Sequence, residues 1–189
     1  MEGIALYNKS ENEDFFWLKH NELITSNKIY SSIYSRNNIE HLKQISLDNG
    51  DECKDKSFIL LNNGKPFFSF IGSEIKTKTN NIKLSVYSLP CSTLESEYTT
   101  RKQSKSINKA LSTLVDTFKG EIVFQDDFYN FTQSSMTEFL IRNYKIKPKV
   151  IYCRCIDLNL HESELKRRLR KSFLSLINWG EREMKIKVF

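Results

Sequence analysis

An α/β (α+β) domain, with helices packed on a mixed and largely antiparallel sheet, is the fold class this sequence predicts. Three observations lead there. Phe58-Ile-Leu-Leu61 and Pro66-Phe-Phe-Ser-Phe-Ile71 flank Asn62-Asn-Gly-Lys65, and two apolar runs around an Asn-Gly pair are the strongest short-range hairpin signal. Ile107, Ala110, Leu111, Leu114, Val115 and Phe118 recur at helical spacing and form one apolar stripe, as a helix lying on a core requires. From the hairpin onward, strand-like and helix-like segments alternate.

In chain order, Asn12–Thr25 predicts a short helix with Phe16, Trp17 and Leu23 turned inward. Ile29–Tyr34 reads as a brief extended piece. Ser35–Ile45 predicts a second helix, capped by Ser35 or Asn37, with Ile39, Leu42 and Ile45 on its apolar side. Ser46–Lys56 is polar and reads as a loop, and Gly72–Asn81 as a polar excursion after the hairpin. Ile82-Lys-Leu-Ser-Val-Tyr87 alternates like a half-buried strand and ends near Leu89-Pro90, where proline stops ladder pairing. The apolar stripe defines a helix over Ser104–Phe118, closed by Gly120. Glu121–Gln125 is then a strand, Asp126–Asn130 a loop, and Ser134–Asn143 a helix with Met136, Phe139, Leu140 and Ile141 inward. Lys147–Cys155 is a strand.

The chain has 189 residues, 39% hydrophobic and 12% aromatic, enough for one folded domain with a sizeable core. Wholesale disorder is excluded on that composition. The net charge is +6, and from His161 onward eight Lys or Arg face four Glu, so most of the excess is local. Cys53, Cys91, Cys153 and Cys155 form neither a CxxC pair nor a disulfide framework. Met1–Ser10 lacks a basic flank followed by an apolar run, and no stretch reaches 18 consecutive apolar residues. The expectation is a cytoplasmic protein with reduced thiols and no transmembrane segment.

Glu162–Gly180 reads as a basic amphipathic helix. Leu165, Leu169, Phe173, Leu176 and Ile177 share one face, and Lys166, Arg167, Arg168, Arg170 and Lys171 fill much of the rest of its first half. Met184, Ile186 and Val188 then alternate as a strand. The run from Ile156-Asp-Leu through Glu164-Leu-Lys-Arg-Arg-Leu-Arg-Lys-Ser172 to Ser175-Leu-Ile-Asn-Trp-Gly180 resembles the FemAB-like branch of the GNAT acyltransferase superfamily. So do the Gly64-Lys-Pro hairpin and the Leu89-Pro90 strand end. These are proteins similar to peptidoglycan interpeptide-bridge aminoacyltransferases. The resemblance implies two GNAT-like subdomains joined through a basic helix, with an aminoacyl-tRNA donor and a muramyl-peptide acceptor. On that expectation 1–158 is a first subdomain, and 159–189 holds the connecting helix and the first strand of a second, so that the chain is truncated and inactive alone.

The candidate anion-binding residues are Arg36, Arg167, Arg170, Lys171 and Trp179. Arginine suits a phosphate because its planar fork binds two oxygens at once. The anion is an aminoacyl-tRNA or a nucleotide-linked sugar or peptide. The alternatives for the basic run are a solvated helix face or a seam with a further subdomain, and for Trp179 a packing residue at the helix end. Asp126 and Asp127 are a turn or cap device before they are a site. Ordinary GNAT enzymes open a helix with Q/R-x-x-G-x-G/A; the sole candidate, Arg101-Lys-Gln-Ser-Lys-Ser106, has serine at both glycine positions. No acetyl-CoA or other cofactor is therefore expected. No catalytic residue is assignable, since His20, His41 and His161 are scattered and no HExxH, P-loop or nucleophile elbow occurs. The competing reading is a non-enzymatic module that binds a partner chain, or a second copy, through the terminal strand and basic helix. Nucleic-acid binding through the same helix is a third.

Overall fold

In a computed structural model of the chain, the described residues are 3–27, 34–125 and 134–147, with His161, Ser163, Glu164 and Arg167. The chain divides into two compact units, Met1–Lys147 and Pro148–Phe189. In the first, four helices accompany two four-stranded, mostly antiparallel sheets.

The hairpin forms as its turn chemistry dictates. Strand β3 (Phe58–Asn62) pairs antiparallel with β4 (Lys65–Ile71), and Asn63 and Gly64 both hold positive φ, 51° and 77°. The register shifts between Leu60 and Leu61, so that Leu60 faces Phe68 while Leu61 faces Pro66. Phe67 is therefore a bulged residue, and Pro66, which has no N–H to give a ladder, sits beside the bulge.

Two further strands extend this hairpin in the same register. Strand β2 (Glu52–Asp55) precedes β3 and pairs with β5 (Ser73–Lys76), which follows β4 after Gly72. The result is one long ribbon creased at Lys56–Ser57 opposite Gly72, with its halves in different sheets. At the crease Lys56 N donates to Gly72 O at 2.9 Å. The first sheet runs β1-β3-β4-β7, with β1 at Ile4–Asn8 and β7 at Ser92–Glu95. The second runs β2-β5-β6-β8, with β6 at Ile82–Ser85 and β8 at Glu121–Ile122, and only the β6–β8 pair is parallel.

Helices cover both faces of the first sheet. Helix α1 (Glu13–Asn27) and α2 (Arg36–Asp48) lie on the side where Ile59 and Leu61 point, with Phe16, Trp17 and Ile39 buried against them. On the other side Phe58, Leu60, Phe68 and Phe70 meet α3 (Arg101–Thr117) through Ile107, Ala110 and Leu111, and α4 (Ser135–Tyr144) through Met136, Phe139 and Leu140. Burying each such phenylalanine contributes about 1.5–3 kcal/mol before chain entropy is counted.

Several expectations need correcting. The single sheet is two. Ser46–Lys56 is not a loop: α2 runs to Asp48, Gly50 N donates to Leu47 O and Asp51 N to Ser46 O, closing the helix with a glycine of positive φ, and β2 follows. Gly72–Asn81 contains β5. Ile45 is 44% exposed, at the end of α2 beyond the reach of the core. Ile141 is half-buried. Strands β1 and β7 had no expected counterpart. Helix α3 starts three residues early because Thr100 and Gln103 form a reciprocal capping box. Its C-cap is Phe118 in an extended conformation, not Gly120. Phe16, Trp17 and Leu23 are buried as expected. The expected loop at Asp126–Asn130 and the strand at Lys147–Cys155 lie outside the described residues apart from Lys147. The same holds for Ile29–Ile33, the terminal strand and most of the terminal helix. Of that helix, Ser163, Glu164 and Arg167 are helical, and Ser163 N donates to His161 Nδ1 at 3.4 Å, so an imidazole stands where a Ser or Asp cap is usual.

Candidate functional site

Strand β1 forms one end of the first sheet, and α3 lies over its even-numbered side chains. Between them runs a cavity of about 620 Å³, within the range of small-ligand sites. Its apolar wall comes from Ile4 and Leu6 of β1, Phe58 and Leu60 of β3, and Ala110 and Leu114 of α3. These meet because alternate residues of paired strands share a face and because i, i+4 residues share a helix face. Ser106, Lys109, Thr113 and Thr117 continue the α3 stripe along the groove. One end is polar: Asn8, Ser10, Asp55, Lys56 and Ser57 collect there, where the creased ribbon interrupts the ladder and leaves backbone groups to be satisfied by side chains.

Asp55 is fixed at that end from two sides. Ser57 N donates to its Oδ1 at 2.7 Å, and Lys9 Nζ approaches its Oδ2 at 3.1 Å. Lys9 is only 4% exposed. It also meets Glu13 at 3.3 Å and Glu40 at 3.6 Å, and lies 5.1 Å from the centroid of the Trp17 ring. Burial works to lower the Lys9 pKa, but Asp55, then Glu13 and Glu40, outweigh it and hold the ammonium above its ordinary value. For Glu13, burial works upward, yet the Trp17 indole N–H at 3.2 Å and the Lys9 charge bring its carboxyl below the ordinary value. Glu40 Oε1 is buried without a hydrogen-bond donor, so its contact with Lys9 is electrostatic. Tyr87 is buried nearby with φ +55°. Burial raises its phenol pKa, against a hydrogen bond with Ser73.

The groove thus offers an apolar wall and, at one end, a carboxylate balanced by a buried ammonium. The Ser–His pair that the sequence did not disclose, Ser69 Oγ to His20 Nδ1 at 2.9 Å, is buried under α1. Its ring stacks on Phe16 at 5.8 Å between centroids, and burial pushes its pKa down to about 4. It is a core contact. Cys91 is also buried, its thiol pushed up to about 12 by burial, so it stays protonated and unreactive. Among the described residues no group of three His, Cys, Asp or Glu converges as a metal site, and no helix is long and apolar enough to cross a membrane.

The sequence-derived candidates fall elsewhere. Arg36 opens α2 and pairs with Asp14 Oδ1 at 2.7 Å, so its fork is already engaged. Arg167, in the second unit, pairs with Glu164 Oε1 at 2.8 Å. Arg170, Lys171 and Trp179 lie outside the described residues. The Arg101–Ser106 segment, set aside as a phosphate loop because of its serines, forms the first turns of α3. There Gln103 N donates to Thr100 Oγ1 and Thr100 N to Gln103 Oε1, so two of the amides a phosphate would use are taken. No family model, curated protein or solved structure matches the chain.

Proposed function

We propose that this chain is a GNAT-like, FemAB-related acyl- or aminoacyltransferase protein connected with bacterial cell-surface glycan or peptidoglycan assembly. Its β1–α3 groove holds the extended part of the substrate. The groove is the observation that carries this reading: a cavity with an apolar wall from β1, β3 and α3, polar side chains along α3 and a further polar cluster at Asn8, Ser10 and Asp55–Ser57 suits an amphipathic chain with a polar head, such as a nucleotide-linked sugar peptide or an aminoacyl end. The mixed α/β content and the antiparallel first sheet with helices on both faces are what support the GNAT-like part of this reading.

The test is a titration of the full chain with a nucleotide-linked muramyl pentapeptide and with aminoacyl-tRNA, read by thermal shift and calorimetry. A Thr113→Trp variant, which fills the groove from an exposed position of α3, serves as the control. Saturable binding that Thr113→Trp abolishes supports the proposal; binding of neither ligand, or binding unchanged in the variant, sinks it. One observation favours the alternative of an interaction module. Among the described residues β1 is paired along one edge alone, by β3, and an edge strand with unpaired backbone groups is a template for another chain; Leu6 on it is 45% exposed. Light scattering across a wide concentration range discriminates: self-association through β1 is lost on Leu6→Lys, and a monomer throughout argues against self-pairing.

A further inference from the structure

Helix α3 carries a second feature, on the side away from the core. Arg101, Lys102, Lys105 and Lys109 are all exposed. At about 100° per residue they fall within an arc of about 100°, opposite Ile107, Ala110 and Leu111, and span about 12 Å along the axis. Six described cations elsewhere, Lys9, Lys19, Arg36, Lys56, Lys76 and Arg142, each stand within 4.0 Å of a carboxylate; Lys54, Lys65 and Lys78 are exposed and outside any ion pair too, but they sit singly on β2, at the start of β4 and in the loop after β5. No ion pair joins these four to any carboxylate of the described residues. Their placement also works against the helix. Arg101 to Lys105 and Lys105 to Lys109 are like charges at i, i+4, and all lie in the half where the macrodipole is positive and acids are preferred. The first turn of α3 has no acidic residue, whereas α1 has Glu13 and Asp14 there and α4 has Glu138. Three residues before Arg101, Tyr98 is 83% exposed, the most exposed of the large apolar side chains among the described residues.

We propose that this face of α3, with Tyr98 at its start, binds a single-stranded stretch of nucleic acid. The four cations would track the phosphodiester backbone, and the tyrosine ring would stack on an unpaired base. The inference does not depend on any transfer activity, and it shares only Lys109 with the lining of the groove. It is also distinct from the self-capped amides at the helix start, because it uses the side chains of the solvent face. A membrane surface fits less well, since the residues interleaved with the cations are Ser104, Ser106, Asn108 and Ser112 rather than apolar anchors.

The test is fluorescence anisotropy of a labelled oligouridylate with the full chain, titrated at several salt concentrations. Four phosphate contacts on a single strand give a log–log salt slope of about −3. The variant Arg101→Gln/Lys105→Gln/Lys109→Gln should lose affinity by at least about tenfold at low salt and flatten the slope by about 2. Because it removes like-charge repulsion, it should unfold at the same or a higher temperature than the parent. Tyr98→Ala should weaken binding by about fivefold or more with the slope unchanged. Lys54→Gln/Lys65→Gln/Lys78→Gln, exposed lysines outside α3, makes the same change in net charge and should leave binding intact. Equal weakening by the two triple variants, unaltered binding in the α3 variant, or strip-dependent retention on phosphatidylserine vesicles without oligouridylate binding each overturns the proposal.

Discussion

Acidification from neutral pH to about pH 5 should destabilise the first unit, and His20 should be the reason. The imidazole is 4% exposed, stacked on Phe16 and bonded to Ser69. Its pKa falls from an ordinary 6.5 to about 4 because burial penalises the charged form. The folded state therefore binds fewer protons than the unfolded state between those two values. The stability is fully present above the unfolded pKa and drains away as pH falls toward the folded one. Linkage between 6.5 and about 4 gives a loss of about 2 kcal/mol by pH 5 and about 3 kcal/mol in all, a large share of the 5–15 kcal/mol typical of a domain. Above pH 5 carboxylates of ordinary pKa remain ionised and add little. The assay is urea denaturation at intervals from pH 7 to 5 for the parent and for His20→Asn, whose amide still reaches Ser69 but does not titrate. Asn loses the ring packing and should be less stable by about 1–3 kcal/mol at every pH, but its stability should stay flat where the parent falls. Parallel curves for the two proteins would refute the assignment.

Three other perturbations test the remaining framework. Lys9→Met should cost about 3–5 kcal/mol at neutral pH by stranding Asp55, Glu13 and Glu40 around a buried neutral chain, and the cost should shrink as acid protonates them, measured by the same denaturation series. Because the folded pKa of Lys9 is raised, its contribution is present below 10.5 and lost as pH rises through the folded value; the alkaline loss of stability seen in the parent should be reduced in Lys9→Met. Gly64→Ala and Gly72→Ala should separate conformational strain from collision. A Cβ at Gly64 meets nothing within 4 Å, so only its φ of +77° is penalised, by about 1 kcal/mol, whereas at Gly72 it would stand 2.7 Å from the Phe70 ring and 3.0 Å from Cys91 Sγ. Gly72→Ala should therefore be the more damaging, by about 1–3 kcal/mol in calorimetric stability.

The elements that the sequence disclosed are those whose signal is local. Asn63-Gly64 dictates its own turn, and the stripe from Ile107 to Leu114 needs only its own periodicity to be read as a buried helix face. Strands β2 and β5 escaped because their stabilisation lies across the ladder rather than along the chain. Glu52-Cys-Lys-Asp55 and Ser73-Glu-Ile-Lys76 carry one apolar residue each, Cys53 opposite Ile75. Lys76 pairs across to Glu52 at 3.1 Å, and Lys56, at the crease, to Glu74 at 3.1 Å. Alternation of hydrophobicity does not register such a pair. The α3 start was set late for the same kind of reason: Thr100 and Gln103 are polar, and their reciprocal capping outranks the first apolar residue as the boundary. The groove was not legible at all, since it needs Leu6 beside Leu60 and opposite Leu114, residues brought together only by pairing and packing. Lys9 sat in a polar turn, Asn8-Lys9-Ser10, where nothing in the sequence distinguishes a buried ammonium from a solvated one.

That lysine and the crease belong to one physical problem. A ribbon that leaves one sheet for another must interrupt its ladder, and at Lys56–Ser57 the backbone groups freed by the interruption take side-chain partners: Ser57 N goes to Asp55, and Gly72 N goes to Ser57 Oγ at 3.2 Å. A carboxylate recruited for this purpose and only partly exposed needs a counter-charge, which Lys9 provides from the turn between β1 and α1. Lys9 in turn draws in Glu13 and Glu40, so α1, α2 and the crease are tied at one point. The polar end of the groove is thus a consequence of the bend, held by charges that the fold itself requires. A head group docking beside Asp55 would meet a carboxylate already neutralised from behind, leaving hydrogen bonding rather than net charge as the basis of recognition. Affinity at that end should then depend little on salt, in contrast to the steep dependence expected of the basic face of α3. A steep salt dependence of groove binding that persists in the α3 glutamine variant would show this electrostatic account of the crease to be wrong.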